Sequence, residues 1–89
     1  MRRHNDALLA ALDLLSIARV HPDRLAKREL LLLGGWRLEE ARERLLAQVE
    51  AARSTWVNDR VRPLMLESLK RREEAIGRAT AELERLLVD

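Results

Sequence analysis

The apolar stripe of this chain changes face by about half a turn between Trp56 and Met65, and that shift limits the folds open to it. From Leu38 the stripe runs through Ala41, Leu45, Val49, Ala52 and Trp56, close to the α-helical period. Beyond the break it runs through Met65, Leu69, Arg72, Ile76, Ala79, Leu83 and Leu86, in alternating steps of four and three. Extended at about 3.6 residues per turn, the first stripe lands on Pro63, Glu67, Lys70 or Arg71, and Glu74, which fall outside the second stripe. One straight helix cannot present both stripes to the same partner. The chain therefore has to reverse around residues 58–62.

Composition fixes what such helices are built from. The 89 residues are 47% hydrophobic and 36% charged, with three Gly, two Pro and neither Phe nor Tyr. An aliphatic core under heavily interspersed charge suits long amphipathic helices and not a sandwich or barrel. At this length a single core is marginal, and self-association is a common remedy.

Residues 1–5 read as a short basic, frayed tail. Asn5 or Asp6 can cap a helix from Ala7 whose stripe is Leu8, Leu12, Leu15 and Ala18 or Arg19. Pro22 interrupts it, having no N–H for the carbonyl of Ala18, yet the period continues in phase through Ala26, Leu30 and Leu33. That predicts either one helix kinked at Pro22 or two helices nearly in line, with Asp23 at the positive end of the second. Leucines 30–33 cover most of a helix circumference and call for neighbours on several sides. Gly34 and Gly35 then end the helix, one of them left-handed at the C-cap. Asn58 and Asp59 supply turn chemistry, and Pro63 suits the first turn of a last helix.

The expected elements are helices over about 7–33 with a break at 21–23, then 37–57 and 62–87. These rods of similar length define one all-α domain over 1–89. It is an antiparallel three-helix bundle, or a four-helix one if Pro22 breaks the first rod, with coiled-coil spacing and an oligomeric state. Glu40 with Arg44, Glu67 with Arg71 and Glu74 with Arg78 are i,i+4 pairs on solvated faces, each contributing about 0.2–0.5 kcal/mol.

Several chemistries find no footing in these residues. With no Cys there is no disulfide framework, thiolate or cysteine-based zinc site. His4 and His21 stand too far apart for a His-x-x-x-His pair, and no Glu-x-x-His is present. Ser16, Ser54 and Ser68 lie in no nucleophile elbow. Gly34-Gly35 lacks the lysine and spacing of a phosphate loop. No catalytic, cofactor-binding or metal-ligating residue is assigned, and no cofactor is expected. Arg2 and Arg3 precede an apolar run, Ala7 to Leu12, that Asp13 cuts too short for a secretory core or a membrane span. A cytoplasmic setting is the expectation.

His21-Pro22-Asp23 resembles the signature loop of J-domain co-chaperones, which stimulate the ATPase of a 70-kDa chaperone. Only twenty residues precede it here, too few for that family's first two helices. The aromatic-rich helix expected after it is missing as well. The competing reading is a proline-led helix start with an N-terminal aspartate.

What remains points to recognition. Leu14, Ile17, Leu31, Leu46, Leu64 and Leu66 fall outside the main stripes, a surplus that a three-helix monomer has trouble burying. Trp36 and Trp56 close the two ends of the third rod or anchor a partner. Arg72, in a stripe position, either snorkels, pairs with Glu73 or Glu74 of a neighbouring chain to set register, or holds an anion. The candidate protein interface is thus Trp36, Trp56, Leu31, Leu66 and Arg72. The function expected is a non-enzymatic interaction module that self-associates, of adaptor, inhibitor or assembly-chaperone type.

Two alternatives remain. Arg60, Arg62, Lys70 and Arg71 could track a nucleic-acid backbone. Against that, acidic residues interleave, the net charge is only +2, and the pI of 9.9 mostly reports that the cations are arginines. The other is a small all-helical enzyme with arginines and Gln48 in a dimer cavity, as chorismate mutases arrange theirs, although the arginine spacing does not align.

Overall fold

The computed structural model describes residues 6–54 and 58–88. They form three helices: α1 (Asp6–Val20), α2 (Arg24–Ala52) and α3 (Arg62–Val88). The described chain is all-α, and no helix in it is long and apolar enough to cross a membrane.

The first reversal falls at His21-Pro22-Asp23. The N–H of His21 closes the last turn of α1 on the carbonyl of Ala18 at 3.3 Å, and Pro22 cannot extend it. Asp23 is extended (φ −87°, ψ 120°) and its carboxylate accepts from the N–H of Leu25 at 3.0 Å, which starts α2. Helix α1 then lies antiparallel along α2, with Ala11, Leu14 and Leu15 against Gly34. This corrects the expectation of a kinked or in-line helix. Apolar phase carried across a proline does not tell a straight continuation from a fold-back, and a three-residue connection suffices for a helical hairpin.

Gly34 and Gly35, expected to end a helix, lie inside α2, and no glycine in the described chain has positive φ. The buried residues Leu31, Gly34, Leu38, Ala41 and Leu45 keep alternating steps of three and four straight through the pair. A glycine costs about 1 kcal/mol in a helix interior relative to alanine. Burying one leucine side chain returns about 1.5–3 kcal/mol, so keeping Leu31, Leu38 and Leu45 on one face wins. At its far end α2 stops at Ala52, earlier than the expected 57. There the Arg53 N–H closes on the carbonyls of Val49 and Glu50.

The second reversal lies where the half-turn shift of the stripes places it. The side chain of Asn58 accepts from the N–H of Arg60 at 2.7 Å, and its carbonyl accepts from Val61 and Arg62 at 3.0 Å. Helix α3 then runs antiparallel to α2, bringing Arg72 to Gln48, Thr80 to Arg42 and Leu83 to Gly35.

The core is wholly apolar among the described residues. Leu38, Ala41, Leu45 and Ala52 of one expected stripe and Leu69, Ile76, Ala79 and Leu86 of the other are buried, with Val49, Met65 and Leu83 packed beside them. Helix α1 contributes Ala7, Leu8, Ala11, Leu15 and Ala18, while Leu12 and Leu33, expected inside, are exposed. The rods are also unequal. Helix α1 has 15 residues against 29 and 27. Gly34 lies against Ala11, Leu14 and Leu15, so Asp6, five to nine residues back, comes level with about residues 39–43, and beyond that stretch only α2 and α3 remain paired among the described residues.

Candidate interaction surfaces

Because α2 continues through the glycines, Trp36 takes a definite direction. Gly34 and Leu38 face the core, and two residues of helix turn through about 200°. Trp36 therefore stands on the opposite face and is 77% exposed. Leu25, at 76%, and the exposed Leu32 and Leu33 share that side. Leu32, Leu33, Trp36 and Glu29 line one shallow hollow, and Arg37, Glu39, Glu40 and Glu43 continue it along the helix. Arg37 and Arg44 both bind Glu40 at 3.1 Å.

The described residues of the expected interface lie in different parts of the molecule. Leu31 is only 2% exposed and belongs to the core. It is the neighbouring leucines of its run that reach solvent. Leu66 is half-buried against the core, Arg72 sits in the other half of the molecule, and Trp56 lies outside the described residues. Leu25, Leu32 and Leu33 were missed. Their signal was a second helical period, Leu25, Leu32, Trp36, which emerges only once Gly34 and Gly35 are read as helical.

Arg72 finds its partner within the chain. Its Nη1 donates to Oε1 of Gln48 at 2.6 Å in a half-buried contact. Gln48 falls between Leu45 and Ala52 on the inner face of α2, so the polar interruptions of the two stripes meet each other. Met65, Leu64 and Ser68 line an open groove beside this pair. A second polar tie joins α1 to α3: the guanidinium of Arg19 donates to one carboxylate oxygen of Glu82 at 3.0 and 3.2 Å, and Arg85 binds the other.

The basic residues around the second turn are divided among different tasks. Arg62 donates to the carbonyls of Ala52 and Ser54, at 3.1 and 3.0 Å, and pairs with Asp59 at 2.5 Å. Its positive charge thus sits on the negative end of α2. Arg71 pairs loosely with Glu67 at 3.8 Å, while Arg60 and Lys70 are exposed. Arg62 is withdrawn from the cationic set, and the other three alternate with Asp59, Glu67, Glu73 and Glu74. Of the three expected surface pairs, Glu74 with Arg78 is not within ion-pair distance among the described residues, whereas the Glu40–Arg44 and Glu67–Arg71 pairs are.

In the tripeptide His21-Pro22-Asp23 the Nδ1 of His21 accepts from the N–H of Asp23 at 3.1 Å. Every polar group it supplies to these bonds serves the hairpin turn. No group of three His, Asp or Glu residues that could hold a metal ion occurs among the described residues. Comparison with protein-family models, with curated proteins and with solved structures returned no match.

Proposed function

We propose that this chain is a non-enzymatic helical interaction module, an antiparallel three-helix bundle that self-associates and offers a helical face to a protein partner. One observation carries the reading: Leu25, Leu32, Leu33 and Trp36 are exposed together on the solvent side of α2, opposite a complete core stripe. Isolated surface leucines need no explanation, but several exposed along one helix face and leading to an exposed tryptophan mark a recognition surface. Adaptor, inhibitor and assembly-chaperone roles all use such a face.

Light scattering coupled to size exclusion, at micromolar concentrations, tests the self-association. The expected mass is a multiple of 10.3 kDa that falls on dilution. A constant 10.3 kDa species across the series would remove self-association from the reading.

A further inference from the structure

The charges beside the apolar strip of α2 are ordered. Viewed down the helix with Trp36 at the centre, Arg28 and Glu39 lie on one flank and Arg37 on the other, with Glu29 on Arg37's side but close to the line of Trp36 itself. On the first flank the basic residue comes earlier in the chain; on the second the acidic one does. The midpoints of both pairs and of Leu32 with Trp36 fall together at residues 33–34. Arg28, Glu29 and Glu39 make no ion pair among the described residues, and Arg37 holds only the half-buried Glu40, which Arg44 shares. Such a pattern is its own complement under a two-fold axis across the helix.

We infer that a second copy of this chain docks here, α2 against α2, antiparallel, with the two-fold axis at about Leu33. In an antiparallel helix pair each flank faces the same flank of the partner. Arg28 then meets Glu39 of the second copy, Glu29 meets Arg37 of the second copy, and Leu32 packs on Trp36 of the second copy, each contact occurring twice. A parallel pairing in the same register would instead join opposite flanks, Arg28 to Glu29 and Glu39 to Arg37 of the second copy, and in that arrangement mixing charge-reversed variants of Arg28 and Glu39 would restore nothing. The inference rests on the self-association proposed above and adds to it the face and the register.

Charge reversal in the full-length chain tests both, because Arg28 and Glu39 are exposed and have no ion-pair partner to lose among the described residues. Arg28→Glu alone creates a homodimer with two acid–acid contacts, and Glu39→Arg alone one with two base–base contacts. Each is expected to raise the dissociation constant by about tenfold or more by sedimentation equilibrium in low salt, as is Trp36→Ala. Mixed together, the two charge variants should associate as tightly as the parent, because every flank contact in the heterodimer is complementary again. Circular dichroism of each variant should match the parent. If the parent associates but the mixture gains nothing over the separate variants, or Trp36→Ala leaves association unchanged, this face and register are overturned while self-association stands. A parent chain that is monomeric throughout overturns both.

Discussion

Asp23 shows how much one side chain decides in this molecule. Its carboxylate takes the N–H of Leu25, its carbonyl takes that of Lys27 at 2.9 Å, and its own N–H goes to His21. Replacing it with alanine leaves the first turn of α2 uncapped and should cost about 0.5–2 kcal/mol in urea unfolding, while asparagine should retain most of the stability. Arg72 and Gln48 act as a pair. Alanine at either position leaves the other half-buried with its polar end unmatched, so a double-mutant cycle should return a coupling of about 0.5–1.5 kcal/mol. Additive effects would mean that the 2.6 Å contact does not form in solution.

At the scale of elements the decisive stretch is Gly34-Gly35. An alanine methyl at Gly34 would rest at ordinary distances from Leu15 and Leu14, 3.6 and 3.7 Å, and at Gly77 it would meet open space. Gly34→Ala and Gly77→Ala should therefore each stabilise by about 0.4–1 kcal/mol. Gly35→Ala should gain less, because Leu83 stands at 3.3 Å. A loss of stability at Gly34 would instead indicate the left-handed C-cap that a reading of punctuation alone suggests. The two stripes on either side of the second turn were legible because a phase shift of half a turn has one cheap solution. The first reversal was not, because the stripe keeps its phase across Pro22 whether the chain runs on or doubles back. The exposed face of α2 was hidden for a related reason. A glycine pair is a weak stop signal, and only the uninterrupted spacing of Leu31, Gly34, Leu38 and Ala41 outvotes it. Arg72 could be picked out as a polar residue in an apolar stripe, but its partner depends on the register of α3 against α2, which no local pattern reports.

Considered whole, the molecule joins a three-layered half to a two-helix half along a length of 51 Å. The basic residues of the second turn are spread and partly committed to Asp59 and to the end of α2. Gel shifts with RNA or duplex DNA at low salt should consequently show no retardation at micromolar protein. Retardation that vanishes steeply with added salt would restore the nucleic-acid reading. The short α1 has a further consequence for how the fold comes apart. Amides of α2 beyond Glu43, and those of the first two turns of α3, are sheltered by one neighbouring helix, whereas those around Leu31–Leu38 and Ile76–Leu86 have two. Native-state hydrogen exchange should accordingly be graded from one pole to the other, with opening that begins at the second turn and travels inward until it meets Leu8.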